Sequence, residues 1–496
     1  MNLKRSDVSI RPDPRRVVAL PFIPGLVGTL DVLGGPRVDQ IAERVLGLSS
    51  GEVGELLAQA RALFGGRHRD VEARWEEHFL EAQPHSPRLK SVQGDLRALI
   101  GAYFTQEYAF EGAALCNPSL VPDPAWSGEE TLRFIMSARA IGEGHISSIE
   151  FRKGTVNEAG AVALEEVGPL VTTGRRTSVV YQKASFLTRL EELGADPQIA
   201  NQICGTLPER FMFDDLAMAL PNLDVQGAYP AAAFETHRLI HWLASSNYRL
   251  QFSAGPLSER LIVPAGPSDS RGMEDARFVK FVDDDGSITY YATYTAFDGF
   301  QILPQLIQTS DFLAFDITTM AGSSARNKGL ALFPVKIDGA YEALSRHDRE
   351  QLYLSYTDDI RSWESSELIY GPRAGWESVQ VGNCGSPIET GGGVVGHHPR
   401  CRANASVLPG CGSPRSQGPE PGPGPITETV PRARPRRAGR FPQCRVLMRG
   451  PCARRQSGAA VRCRRPQHQH RHRPGGRIGG SDDLEPSSTG GGPCFS

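Results

Sequence analysis

Amino-acid usage breaks near Gly393, and that break decides how much of the chain can fold around a core. Up to that point the chain holds all five tryptophans, every lysine and three cysteines, Cys116, Cys204 and Cys384. Beyond it stand no tryptophan, no lysine, eighteen arginines and six cysteines in a Pro- and Gly-rich background. A segment so poor in large apolar side chains cannot offset its chain entropy, so residues 394–496 are expected to be a disordered tail. Its Cys452, Cys463, His468, His470 and His472 lack the paired spacing of a zinc site, and no metal is expected. Its basic run at 432–440 offers only nonspecific phosphate contacts.

The whole chain of 496 residues is too long for one ordinary core. A net charge of −2 gives no electrostatic case for nucleic acid or a membrane as partner. No apolar run reaches the length of a membrane span. The short apolar stretch at 17–26 carries two prolines and makes a poor signal peptide, so a cytoplasmic protein is expected.

Within the first 393 residues the hydrophobic period changes twice. Residues 37–108 read as helices, with Val38, Ile41, Ala42, Val45 and Leu46 on one stripe. Ser49 and Glu52 form a capping-box pattern ahead of Val53, Leu56, Leu57, Ala60 and Phe64. Val71, Trp75 and Phe79 mark a third helix, and Val92, Leu96, Leu99, Ile100, Tyr103 and Phe104 a fourth. These stripes are read as core. Strand patterns follow at 132–136 and 146–151, a helical section at 185–247, and strands again at 248–252, 276–282, 287–295, 330–337, 351–356 and 367–370. Turn signals at 283–286 and 337–339 separate some of them. Many short, evenly spaced strands predict a sandwich, barrel or propeller.

One stretch concentrates charge, Arg271-Gly272-Met273-Glu274-Asp275-Ala276-Arg277-Phe278. Adjacent carboxylates beside arginines can tune an acid, although such a stretch is also what a surface salt-bridge cluster looks like. Its company decides. Gly272-Met273-Glu274-Asp275-Ala276-Arg277 resembles the Gly-x-Glu-Asp-Pro-Arg signature of glycoside hydrolase family 130, with Ala276 in place of the usual proline. Tyr294-Thr295-Ala296-Phe297-Asp298-Gly299, Asn327-Lys328-Gly329-Leu330-Ala331-Leu332-Phe333-Pro334 and Gly382-Asn383-Cys384-Gly385-Ser386-Pro387-Ile388-Glu389-Thr390 resemble later motifs of that family in the same order, and Asn117-Pro118 an early one. The resemblance covers residues 110–392. It implies a mainly β chain, a five-bladed β-propeller (incomplete as written) at 111–393. A helical N-terminal domain at 1–110 and a helical insertion at 185–247 would mark a longer member of the family.

In that family a Gly-Trp-Leu and a His-Gly pair follow the last motif. Val394-Val395-Gly396-His397-His398-Pro399-Arg400 can be encoded so that reading one base later yields Trp-Leu-Val-Ile-Thr-His-Gly. The same shift over residues 440–450 permits a further strand-like stretch. The tail is therefore read as the out-of-frame translation of the last part of the propeller.

Cleaving a glycosidic bond needs an acid for the leaving oxygen and a nucleophile at the anomeric carbon. The resemblance assigns the acid to Asp275, acting through a sugar hydroxyl. Glu274 beside it would favour the protonated acid and Arg277 the ionised one. It also places Lys328 and Arg346 as phosphate contacts. A third cation position falls on Gln380, and a fourth, a histidine, lies in the shifted region. Asn117, Arg139, His145, Glu274, Arg277, Tyr294 and Asp298 are the candidates for sugar contacts. Trp363 and Trp376 are read as core. The implied activity is inverting phosphorolysis of β-mannosides, giving mannose 1-phosphate. Inverting hydrolysis on the same scaffold, and an inactive truncated propeller, are the rivals. The partner expected is a β-mannoside, with inorganic phosphate as co-substrate and no cofactor. A homo-oligomer is left open.

Overall fold

The computed structural model describes residues 6–24, 34–128, 131–220, 231–383, 385–390, 393–395 and 462–463. All of these lie in one unit, Met1–Arg465. Most of the tail, with its histidines and the basic run, falls outside the described residues. Of the tail, Val394 and Val395 belong to a hairpin of Ile388–Thr390 with Gly393–Val395, and Arg462–Cys463 pairs in parallel with Ser9–Ile10.

The architecture is mainly β, with helices in two groups. The first group is Gly34–Leu46, Ser50–Phe64, Val71–Ala82 and Gly94–Tyr103. The expected capping box is present: Ser49 Oγ accepts from Glu52 N, and Glu52 Oε2 accepts from Ser49 N at 2.8 Å. Val38, Ala42, Val45, Val53, Leu57, Val71, Trp75, Phe79, Leu99, Ile100 and Phe104 form one buried cluster, as their spacing predicts. Gly101 lets two helices touch, since a Cβ there would lie 2.0 Å from Trp75 O. The helical reading of 37–108 needs two corrections. Tyr103 is exposed, and Thr105–Ala109 is a strand that pairs with Val17–Pro21. A strand this short has too few residues to show an alternating pattern after a helix.

The second helical group is Lys183–Glu192, Pro197–Cys204, Phe213–Ala219 and Ala231–Ser245, with its own core around Phe186, Leu190, Phe211, Leu239, Ile240 and Leu243.

Three larger sheets carry the rest. The first has the strand order Ala114–Pro122, Leu132–Ile141, Ser147–Val156, Arg260–Ile262 and Thr172–Thr173. The second runs Gly272–Val282, Ile288–Phe297, Ile302–Thr309, Ala314–Thr319, Tyr248–Gln251 and Arg175–Thr177. The third is Ala331–Leu332, Tyr341–Ser345, Leu352–Thr357 and Ser365–Tyr370. Strands such as Ile288–Phe297 are rich in Thr, Tyr and Phe, which suit a pleated, half-buried surface. The Asp338-Gly339 turn has φ of 53° and 81°, the two positive values that a tight hairpin needs. None of the described sheets closes on itself.

Phe151 of the first sheet packs against Phe278 and Phe315 of the second, and against Phe312 in the turn between Ile302–Thr309 and Ala314–Thr319, with ring centroids 5.7, 5.7 and 5.8 Å away. Each fully buried ring stabilises by about 1.5–3 kcal/mol relative to exposure. Trp363 is fully buried, with Nε1 donating to Ile360 O at 2.7 Å, which matches its reading as core. The side chain of Trp376 falls outside the described residues.

A buried ion cluster ties the N-terminal segment to the first sheet. Arg16 Nη1 donates to Glu111 Oε1 and, at 2.7 Å, to Glu150 Oε2; Arg152 Nε donates to Glu150 Oε1 at 2.8 Å. Burial, and then the neighbouring Glu150 carboxylate, push Glu111 up to about 8. Burial works the same way on Glu150, but the Arg152 and Arg16 guanidiniums outweigh it and hold that group low.

Candidate active site

In an ordinary strand Glu274 and Asp275 would point to opposite faces. Here they do not, because the strand is bulged. Glu274 pairs with Thr295 and Arg277 with Thr293, so Asp275 and Ala276 together stand opposite Tyr294. Asp275 takes φ 54°, a left-handed value that a non-glycine residue rarely adopts. The kink brings both carboxylates to one guanidinium. Arg139 Nη2 donates to Glu274 Oε1 at 2.8 Å and Nη1 to Asp275 Oδ1 at 3.3 Å. Arg139 itself is held by Nε donating to Ser147 Oγ at 2.8 Å.

The neighbouring sheet repeats the device. Strand Ala114–Pro122 is bulged between Cys116 and Ser119, and Asn117 in the bulge has φ 51°. The two bulged strands are joined by Phe278 N donating to Ser119 Oγ at 2.9 Å. Asn117 and Asp275 thus occupy equivalent kinks on adjacent strands.

The loop between Ala314–Thr319 and Ala331–Leu332 supplies the third component. Asn327 at φ 60° and Gly329 at φ 94° turn the chain so that Lys328 Nζ donates to Glu274 Oε2. Asn327 Nδ2 donates to His347 O, and Arg349 Nε to Asn327 Oδ1 at 2.9 Å, which fixes the turn. Arg277 Nη1 donates to Gly329 O at 3.4 Å. Arg346 lies alongside: a Cβ on Gly382 would be 2.8 Å from Arg346 Nη1, and one on Gly329 3.6 Å from Arg346 Cβ. The helical insertion reaches this loop too, since Gly322 N donates to Glu192 Oε1 at 2.7 Å.

Burial alone would push Glu274 up, but Arg139 and then Lys328 outweigh it and hold the carboxyl below its usual range. Arg139, Glu274, Asp275 and Lys328 therefore form one contiguous charged cluster, with Arg277 and Arg346 flanking Gly329.

Several expected roles change. Arg139 supplies a cation to Asp275, and Arg277 Nη1 donates to the Gly329 carbonyl. Tyr294 offers no face to a sugar: it is 3% exposed, and its hydroxyl lies 3.1 Å from Asp269 Oδ2 and 2.9 Å from Gln305 Oε1. Strand alternation around the bulge sends it into the core. Asp298 caps its own turn, with Oδ1 accepting from Phe300 N at 2.8 Å and Gln301 N at 2.6 Å. His145, at φ 60°, sits exposed in the turn after Leu132–Ile141. Cys384 falls outside the described residues, while Asn383 is buried beside Gly329. Ser147 and Ser119, which fix Arg139 and the paired bulges, carry no sequence signal beyond being polar residues at strand positions.

Residues 245–406 match the family model of glycoside hydrolase family 130, described as beta-1,4-mannooligosaccharide phosphorylase. A 1,2-beta-oligomannan phosphorylase of Thermoanaerobacter sp. (strain X514) is 37% identical over 123 residues, covering 24% of this chain and 40% of that protein. A beta-1,2-mannobiose phosphorylase of Listeria innocua serovar 6a is 28% identical over 156 residues, covering 30% of this chain and 42% of the relative. The solved beta-1,2-mannobiose phosphorylase from Listeria innocua, in complex with beta-1,2-mannobiose, aligns at 16% identity and a TM-score of 0.29, covering 61% of this chain and 71% of that one. Residues 245–406 are therefore similar to glycoside hydrolase family 130. It spans about two fifths of the length of the curated relatives it matches, 40% and 42%.

Proposed function

We propose that this chain is built to cleave β-mannosidic bonds by inverting phosphorolysis, releasing mannose 1-phosphate. The observation that carries the reading is the juxtaposition of a paired carboxylate, a forked arginine and the lysine of a neighbouring loop around the bulge at Asp275. In this reading Asp275 delivers a proton, through a sugar hydroxyl, to the glycosidic oxygen. A phosphate oxygen attacks the anomeric carbon from the opposite face, the C–O bond to the leaving sugar breaks, and configuration inverts. Lys328 and Arg346 would hold the phosphate, as fixed cations beside the carboxylates. Asn117, Arg139, His145, Glu274 and Arg277 remain candidates for sugar contacts.

The three larger sheets and the hairpin of Ile388–Thr390 with Gly393–Val395 are read as consecutive blades of a five-bladed propeller whose last part is written out of frame. The proposed divisions are a helical domain at 1–110, the propeller at 111–393 with its insertion at 185–247, and the altered tail at 394–496. No helix among the described residues is long and apolar enough to cross a membrane.

One observation favours hydrolysis as the second reading. Gln380 stands where the family resemblance places a third phosphate cation, so the proposed anion site would carry one charge fewer. Both curated relatives act, by name, on β-1,2-linked mannosides, which makes β-1,2-mannobiose the first substrate to test. The chain, as written and after repair of the frame at the Gly393 codon, is assayed with and without phosphate. Phosphate-dependent release of mannose 1-phosphate supports phosphorolysis. Turnover in phosphate-free buffer assigns hydrolysis, and binding without turnover by the repaired protein leaves a non-catalytic propeller.

A further inference from the structure

Lys328 and Arg139 never meet, yet one carboxylate holds both. Glu274 Oε2 accepts from Lys328 Nζ while Oε1 accepts from Arg139 Nη2 at 2.8 Å. Glu274 is largely buried, with 16% of its side chain exposed, whereas the Lys328 side chain is 38% exposed. A carboxylate this enclosed must keep its oxygens satisfied, since an unpaired buried acceptor is costly. A flexible lysine at the rim can leave it at little cost in burial. Arg139 cannot leave so easily, because Ser147 Oγ fixes its Nε from behind and Asp275 takes its other arm. Lys328 is thus the exchangeable partner of Glu274.

Two ligands of the proposed reaction bear on that exchange. A phosphate dianion competes with Glu274 for the lysine ammonium. A sugar hydroxyl can donate to Glu274 Oε2 in the lysine's place, and a hydroxyl is a donor of the right kind for an ionised carboxylate. Each event lowers the cost of the other. If the sugar satisfies Glu274, the lysine is released to the anion; if the anion takes the lysine, the carboxylate is left seeking a donor.

We propose that Glu274 is the residue that couples sugar and phosphate binding, by exchanging the Lys328 ammonium for a substrate hydroxyl. The inference rests on the phosphorolytic reading and deepens it. It makes the site bind its two substrates cooperatively, and it disfavours a phosphate-loaded chain without sugar. Linkage requires the effect to be reciprocal.

The test uses calorimetric titration of the full chain with sulfate, a non-reacting dianion, with and without saturating β-1,2-mannobiose. The disaccharide should tighten sulfate binding by roughly 5–150-fold, and sulfate should tighten disaccharide binding by the same factor. Glu274→Gln, which is close in shape and removes the charge, should bind sulfate alone more tightly and lose the coupling. Glu274→Asp, which keeps the charge but shortens the reach, should also weaken the coupling while leaving the melting temperature close to that of the parent. Sulfate binding that depends on Lys328 but is indifferent to the disaccharide would overturn the coupling and leave phosphorolysis standing. Sulfate binding unchanged by Lys328→Met would overturn the phosphate site itself, and the coupling with it.

Discussion

Asp275 and Glu111 are carboxyl groups in opposite circumstances, and each gives a prediction. On the proposed reading Asp275, which faces Arg139, is the general acid, so Asp275→Asn should cut turnover of the frame-repaired chain by about 10²–10⁴-fold, the usual weight of such a group. Circular dichroism and melting temperature should stay close to the parent's, which separates lost chemistry from lost fold. Glu111 is pushed up to about 8 by burial and by Glu150. Its folded value lies above its unfolded one, so its contribution to stability is fully present below the ordinary glutamate range and is lost as pH rises through about 8. Thermal melts across that window should show the midpoint falling with pH, and Glu111→Gln should flatten the slope. The sequence made Asp275 visible because its neighbours match a family pattern. It left Arg139 as one sugar contact among several, because nothing in a linear string says that a guanidinium 136 residues away reaches the bulge. Tyr294 is the mirror case: its motif is legible, but which face of a strand a bulge turns inward is not.

Among the elements, the loop carrying Lys328 is the one whose shape the site most depends on. Gly322 begins it at φ 104°, a region that favours glycine, and a Cβ there would lie 2.2 Å from Trp363 O. Gly322→Ala should therefore destabilise the chain by about 2–4 kcal/mol, through backbone strain and a clash with a buried neighbour. Chemical denaturation measures that loss, and weaker sulfate binding would report the displaced lysine. Long amphipathic elements such as Ser50–Phe64 and Ala231–Ser245 could be anticipated from their stripes. Arg260–Ile262 could not, since three residues show no period, and Ala331–Leu332 shrank from a longer expectation because Phe333-Pro334 ends its ladder with a residue that has no N–H.

For the whole molecule, the decisive question is the reading frame after Gly393. On the proposed frameshift reading, a chain repaired at that codon should melt more cooperatively and at higher temperature than the chain as written, because closing a propeller would remove an exposed edge and cover core. Calorimetry on both forms measures the difference, and equal melting would show that the altered tail costs nothing. Sequencing the gene there is the direct check: codons that cannot yield the family motif one base later would end the frameshift reading. The break was legible because composition shifts over a hundred residues. How the sheets would be joined into a closed ring is not legible in the sequence, because pairing between the first and last blades of a propeller would be its longest-range contact. The chain's path between the first two sheets has a mechanical consequence of its own. Thr172–Thr173 lies in one and Arg175–Thr177 in the other, and after the helical insertion Tyr248–Gln251 and Arg260–Ile262 cross back in the same way. The two sheets are laced like the halves of a boot. A protease cut within the insertion should leave two fragments that stay together until both sheets come undone at once, and hydrogen exchange should find them opening as a single foldon.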